Sequence, residues 1–179
     1  MNRALLIFLL LLTQTGVYSQ SIDYRLNNIA TIKGLSQSSV IAIHQDNLGQ
    51  MWFGTRDGLN KYDGHNFTIF KNNPTDSLSI SNNDILSIEE DKKGNIWVGT
   101  YNGLNRYNPV SNTFTRFFHE NNKTSLSNNT VWCVKEIKNE IWVGTSYGLS
   151  IYNKDTNEYT TVYHADSDLA SLSDNYVLS

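Results

Sequence analysis

The side chains best suited to chemistry in this sequence are four histidines, a few carboxylates, one cysteine and a set of tryptophans. His44, His65, His119 and His164 are scattered singly, without H-E-x-x-H or any other metal-ligand spacing. They read as solvated or structural imidazoles, and no metal site is assigned. Asp46, Asp91, Glu89 and Glu90 are of the type that pairs for general acid–base work. An Asp that returns at one point of every repeat is more simply a turn residue. The recurring Gly-Thr-x-x-Gly-Leu lacks the glycine spacing and lysine of a phosphate loop and does not open a helix, so it reads as a hairpin turn. Trp52, Trp97 and Trp142 could stack on sugar faces, but each lies among apolar neighbours in mid-strand and is read as core between packed sheets. Cys133, the only cysteine, excludes an intrachain disulfide and a Cys-based zinc site. It aligns with Ala42 and Ser87, which favours a buried small residue over a reactive thiol. The Asn66-Phe67-Thr68, Asn122-Lys123-Thr124 and Asn128-Asn129-Thr130 triplets fit the glycan acceptor pattern, which matters only in a host with that machinery. No catalytic residue and no cofactor is assigned.

A repeat positions these residues. Gly94 to Tyr107 is matched by Gly49 to Tyr62 and, with a degraded start, by Glu140 to Tyr152, and the three tryptophans are spaced 45 residues apart both times. A period of that size marks a solenoid, a propeller or another repeat array. Each repeat reads as four short strands bounded by turn residues. The first strands are Val40–His44, Ile85–Glu89 and Val131–Lys135; the second carry the Trp and Gly-Thr; the third start at Gly-Leu and end on Tyr62, Tyr107 or Tyr152; the fourth hold Phe67, Phe114 or Tyr159. In the first turn of the repeat, Gly49 and Gly94 supply the positive φ of a tight hairpin. The third copy has Ile137-Lys138-Asn139-Glu140 there, and Asn139 is expected to take the left-handed conformation. Apolar residues on successive positions, as in Ile96-Trp97-Val98, require cover on both sheet faces. Four-stranded sheets of this repeat length, covered by their neighbours, are blades of an all-β propeller. The reading is a partial propeller: residues 35–79, 80–125 and 126–171 as three antiparallel blades, and 172–179 as the truncated start of a further one. Gly54, Gly99, Gly144, Gly58, Gly103 and Gly148 join the three tryptophans as its structural framework.

The rest of the chain adds compartment and partners. Residues 1–20 combine a positive start at Asn2-Arg3, an apolar run from Ala4 to Leu12 and small or tolerated residues at Val17-Tyr18-Ser19, the layout of a secretory signal peptide. That run is far below the ~20 residues that cross a bilayer. Within residues 21–34, Ile22 to Leu26 alternates like a strand and is expected to add to the final blade as its outer strand. The 14 Lys+Arg against 17 Asp+Glu leave a formal charge of −3, which provides no electrostatic footprint for nucleic acid. With 39% hydrophobic and 17% charged residues, the chain is suited to packed β structure and not to disorder.

At these residues the sequence resembles the two-component regulator propeller family, whose blade runs through an apolar strand, Asp-x-x-Gly, apolar-Trp-apolar-Gly-Thr, x-x-Gly-Leu and a strand ending in an aromatic followed by Asp or Asn. The phrase Gly34-Leu35-Ser36-Gln37-Ser38-Ser39-Val40 adds to the likeness, which spans about residues 22–179. The resemblance implies the periplasmic sensor region of a hybrid two-component histidine kinase, with a transmembrane helix and kinase modules far downstream. It also makes a glycan fragment the default ligand. The partners expected are the remaining blades of the same propeller and an oligosaccharide, with membrane contact only through a downstream segment.

Because strand direction alternates across a blade, the loops from fourth to next first strand and from second to third strand must emerge on one face. Ser36-Gln37-Ser38-Ser39, Ser81-Asn82-Asn83-Asp84 and Ser127-Asn128-Asn129-Thr130 lie there, with the pairs Arg56-Asp57, Tyr101-Asn102 and Ser146-Tyr147. Those six residues sit between fixed Gly-Thr and Gly-Leu yet differ in charge and size, the pattern of binding residues on a rigid scaffold. They are the ligand- or partner-binding candidates, with ordinary solvated turn residues as the plain alternative. Three functions stay open: a sensing or docking module without catalysis in this portion, a propeller lyase or glycosidase, and a structural spacer. An enzyme would need convergent acid–base residues, and the first-strand starts Ser39, Asp84 and Thr130 contain one ionisable group.

Overall fold

Three short turns build each sheet, and a glycine or a left-handed residue makes the first of them. The computed structural model describes residue 31, residues 34–120, residue 122 and residues 124–179. The expected signal peptide and the strand at Ile22 to Leu26 lie outside the described residues. Twelve strands follow in chain order: β1 (Val40–Gln45), β2 (Met51–Thr55), β3 (Gly58–Tyr62), β4 (Phe67–Phe70), β5 (Ile85–Glu90), β6 (Ile96–Thr100), β7 (Gly103–Asn108), β8 (Thr113–Phe117), β9 (Val131–Ile137), β10 (Glu140–Thr145), β11 (Gly148–Asn153) and β12 (Tyr159–Val162). They form three four-stranded antiparallel meanders, β1-β2-β3-β4, β5-β6-β7-β8 and β9-β10-β11-β12.

The β1–β2 and β5–β6 turns close through Asp46 and Asp91. Gly49 and Gly94 take φ of 81° and 79°, and the Asp46 carboxylate accepts from the Leu48 and Gln50 amides while Asp91 accepts from those of Lys93 and Asn95. The third turn corrects the expectation at Asn139. Ile137 pairs directly with Glu140, which leaves the two-residue loop Lys138-Asn139. Lys138 takes the positive φ, 58°, because a two-residue hairpin demands it at the first loop position.

The sheets converge along their first strands, β1 against β5 and β5 against β9, as blades do around an axis. The tryptophans fill the joints. Trp52 is 1% exposed and lies 6.0 Å from Phe70 of its own blade and 5.4 Å from Tyr107 of the next. Trp97 repeats this between Phe117 and Tyr152, at 5.5 and 5.8 Å. Strand β6, with a neighbour on each side, is buried at all five positions. Trp142 departs from the expectation of three equally buried tryptophans. It holds the equivalent register, opposite Ile151 and Lys135, but is only half-buried. Among the described residues no further third-strand tyrosine covers it, and Val162 stands where the other blades have Phe70 and Phe117. Strand β1 shows the opposite open side, with Ile41 and Ile43 exposed at 42% and 63%.

Gly54, Gly99 and Gly144 mark the tightest points of the joints. A Cβ on them would stand 2.7 Å from Ile85 Cγ2, 2.7 Å from Val131 Cγ1 and 2.9 Å from Val177 Cγ1. Ile85 and Val131 open the first strands of the following blades, and Val177 is the aligned residue of the next repeat. Val177 is part of residues 172–179, which therefore seat on blade 3 as β5 seats on blade 1, although they form no strand.

Candidate functional site

The face formed by the second-to-third-strand turns is built on threonine. Thr55, Thr100 and Thr145 each donate from the hydroxyl to the carbonyl of Gly58, Gly103 or Gly148, and each hydroxyl accepts the amide of Asp57, Asn102 or Tyr147. The glycines then turn through φ of 116°, 103° and 99°, a region open to glycine and strained for other residues. Their amides donate to Asn83, Asn129 and Asn175 of the next repeat. The two sets of loops expected on one face are thus hydrogen-bonded to each other.

A buried polar triad beneath the face was not foreseen. The Ser36 amide donates to Asn60 Oδ1, Asn60 Nδ2 donates to Ser36 Oγ, and Ser36 Oγ meets Thr55 Oγ1 at 2.9 Å. Ser81, Asn105 and Thr100 repeat it, as do Ser127, Ser150 and Thr145. The signal for it was present as a serine after Leu35, Ile80 and Leu126. Buried polar groups with every partner in place fix a single arrangement of loop and blade.

The six candidate residues fall into two groups on this platform. Arg56 and Asp57 are engaged in charge pairs: Arg56 Nε lies 4.0 Å from Asp84 Oδ1, and Lys71 Nζ lies 2.8 Å from Asp57. Asp84 Oδ1 is shielded from solvent and has no hydrogen-bond partner. Tyr101 and Tyr147 are exposed at 41% and 56%. Tyr147 packs on Tyr163 at 5.6 Å. Tyr101 packs edge-on against Trp132 at 5.4 Å, and Trp132 lies 5.5 Å from Tyr176. Ser146 joins the row by accepting the Trp132 indole N–H at 2.9 Å. Asn102 contributes the turn amide already described.

Trp132 was not among the sequence candidates. It sits at a register shift of β9, where Gly144 pairs with Cys133 and Thr145 with Val131. The same irregularity falls at Ile41 and Leu86 in β1 and β5. A bulge re-aims a side chain at a sheet rim, and a tryptophan in place of Ile41 and Leu86 was the available clue. The result is a row of three aromatic rings crossing from blade 2 over blade 3 to the next repeat. Among the described residues no group of three His, Cys, Asp or Glu side chains is placed to hold a metal, and no helix is long and apolar enough to cross a membrane.

The family model for the two component regulator propeller matches residues 34–57 and 79–102, the two stretches that carry the Asp-x-x-Gly turn and its tryptophan. Those two stretches are two-component regulator propeller repeats. Histidine kinase P4 of Formosa agariphila is 58% identical over 62 residues, which are 35% of this chain and 4% of that relative. The extracellular domain assigned to the hybrid two component system BT3049 of B. thetaiotaomicron superposes with a TM-score of 0.76 at 28% identity, over 86% of this chain and 22% of that one. The extracellular domain assigned to the one component system BT4673 of the same organism shares the fold, with a TM-score of 0.51 at 24% identity over 79% of this chain and 24% of that one. The chain thus spans less than a quarter of these solved structures and a small part of the kinase.

On the opposite face of these regulator-propeller repeats, the turn aspartates do more than close turns. Asp46 and Asp91 are 8% and 1% exposed, and each accepts the indole N–H of its own blade's tryptophan, at 2.8 and 3.0 Å. Burial works to raise the Asp91 carboxyl, but the bonds from Trp97 and Asn95 and the backbone amides outweigh it and hold it below its ordinary value. In blade 3, Glu140 takes the place of the missing Asp and accepts from Trp142 Nε1 at 3.1 Å. The carboxylates read as turn formers are therefore also the polar anchors of the joint tryptophans.

Proposed function

We propose that this chain is the N-terminal part of an exported β-propeller that serves as the sensor of a two-component signalling receptor, and that its turn face binds a glycan fragment. The row Tyr101–Trp132–Tyr176 is the observation that carries the reading. Partly exposed rings on a rigid platform, beside hydroxyl and amide groups, suit the apolar faces and polar rims of sugars. The likeness to extracellular domains of two-component systems supports a sensor on the outer side of the membrane. A membrane-spanning segment and kinase modules downstream, and further blades that complete the ring, belong to the same proposal. The reading assigns no catalysis to this portion. Asp84, the one ionisable group at the first-strand starts, is paired with Arg56, and the equivalent positions Ser39 and Thr130 carry no acid, which disfavours a lyase or glycosidase.

The test is made in the intact receptor. Trp132→Ala, Tyr101→Ala, Tyr147→Ala and Arg56→Ala are compared with wild type on a glycan array and in a reporter strain, after melting curves establish that each variant is folded. Loss of array binding and of signal in the Trp132 and Tyr101 variants is expected. Normal binding and signalling in all four would move the site off this face, and release of new reducing ends from the array sugars by wild type would favour the enzyme.

A further inference from the structure

The joint between blades 1 and 2 contains a cleft of about 190 Å³, and the corresponding place in the next joint shows what fits there. Between blades 2 and 3 the Lys154 ammonium is held by Glu136 and stands 3.8 Å from Asp91, with all three side chains at most 7% exposed. Glu136 also accepts the Lys92 amide across the joint, at 3.0 Å. One repeat earlier the same carboxylates are present. Asp46 anchors Trp52 as Asp91 anchors Trp97, and Glu90 accepts the Asn47 amide at 2.8 Å as Glu136 accepts that of Lys92. Both carboxylates line the cleft.

The cation is what differs. The residue after Asn153 is Lys154, whereas the residue after Asn108 is Pro109, which lines the cleft and supplies no charge. Lys61 also lines the cleft, but it makes no ion pair with either carboxylate and does not take the place of Lys154. It lies over Trp52 at 5.7 Å, as Arg106 lies over Trp97 at 5.7 Å, so the pair of basic residues over the tryptophans is matched in both joints. The blade 1–2 joint is therefore one ammonium short of its neighbour and has an open volume at that point. His44 Nε2, shielded from solvent and without a hydrogen-bond partner, stands 3.9 Å from Glu90 Oε2 on the inner side.

We infer that this cleft is a binding site for a primary alkylammonium group, with Asp46 and Glu90 holding the charge and Trp52, Ile96 and Pro109 lining the stem. The proposal stands apart from the glycan reading, because it lies on the opposite face and uses none of the aromatic row. A free amine and a lysine side chain share this chemistry. Charge-assisted hydrogen bonds to two largely desolvated carboxylates are strong for their size, so a small probe is expected to bind with a Kd on the order of 1 mM.

The full chain, labelled with ¹⁵N, is titrated with n-butylammonium chloride while the indole N–H resonances are followed. The Trp52 resonance should move and saturate because that N–H donates to Asp46, and the Trp97 resonance should stay, because Lys154 already fills its joint. Glu90→Gln keeps the shape, and should weaken binding about tenfold. Pro109→Lys supplies the ammonium from the chain, and should shift the Trp52 resonance without ligand and abolish the response. Nα-acetyl-lysine methylamide binding more tightly than n-butylammonium assigns the site to a lysine of a protein partner; equal or weaker binding assigns it to a free amine. Sodium chloride reproducing the Trp52 shift, Trp52 and Trp97 moving together, no saturable shift, or a response that survives Pro109→Lys in the folded protein would each overturn the inference.

Discussion

Adding one methyl group at Gly99 tests the joint geometry most directly. Its backbone does not take a positive φ, so the effect of Gly99→Ala is a packing effect alone. The new Cβ would stand 2.3 Å from Ser87 Oγ, 2.7 Å from Val131 Cγ1 and 2.9 Å from Val131 O. The serine hydroxyl can rotate away. The Val131 carbonyl moves only with β9, and Val131 is fully buried between blades. Overpacking of a tight core costs about 1–3 kcal/mol, and a backbone contact puts Gly99→Ala at the upper end. The loss of unfolded-state freedom on replacing glycine offsets about 0.4–1 kcal/mol of that. A net loss of about 2 kcal/mol corresponds to roughly 4–8 °C in Tm for a chain of this size. Gly54→Ala meets only side chains, with Ile85 Cγ2 at 2.7 Å and Ala42 Cβ at 3.2 Å, and should cost less. Gly144→Ala meets Cys133 Sγ at 2.4 Å and the Val177 carbonyl at 2.7 Å. The thiol can rotate away as the Ser87 hydroxyl does, and Val177 belongs to a segment that forms no strand, is held to the adjacent turn by the Asn175 carbonyl and the Val177 amide, and can lift away more easily than β9. The expected order of damage is Gly99, Gly54, Gly144, read by thermal melts and urea titration of the three variants. Adding Ser87→Gly to Gly99→Ala removes the shortest contact but leaves the carbonyl, so recovery should be partial. A Gly99→Ala melt within about 1 °C of wild type, or Gly144→Ala as the worst variant, would refute the joint geometry.

Asp91→Ala should destabilise by about 2–4 kcal/mol in urea unfolding, because it strands the Trp97 indole, two turn amides and the Lys154 ammonium in a buried place. Glu140→Ala, beside a half-exposed Trp142, should cost less than about 1 kcal/mol. The depressed Asp91 carboxyl fixes the sign of a pH effect: its contribution is present above the unfolded carboxylate value and disappears as pH falls through the folded one. Melting curves across the acid range should therefore fall less steeply for Asp91→Asn than for wild type. Cys133 is half-buried, and burial pushes its thiol up while the Gly144 amide partly counters this. Ellman's reagent should react more slowly with the folded chain than with the urea-unfolded one, and equal rates would mean that residues 172–179 leave the blade 3 face open.

Periodicity alone determined the blade. The 45-residue spacing, the Asp-x-x-Gly turn and the Gly-Thr-x-x-Gly-Leu hairpin are contacts between residues a few positions apart, and such contacts can be read from any one copy. Thr55 reaching Gly58 and Asp46 reaching Gln50 belong to this kind. The tertiary structure decided whatever depends on the neighbouring blade. Trp142 has the same pattern as Trp52 and Trp97, yet it is half-exposed, because burial is set by the surface opposite and not by the residue. The Ser36–Asn60–Thr55 triad joins residues 24 and 19 positions apart, and no local rule pairs them. Trp132 read as one apolar strand residue among several until the bulge in β9 aimed it between Tyr101 and Tyr176. Lys154 follows the third strand of its repeat with nothing in the sequence to single it out, and only the approach of blade 3 to blade 2 placed it between Glu136 and Asp91. A repeat specifies its own fold because short-range hydrogen bonds and alternating burial are written within it, whereas the chemistry of a joint arises from two repeats at once and becomes visible when they meet.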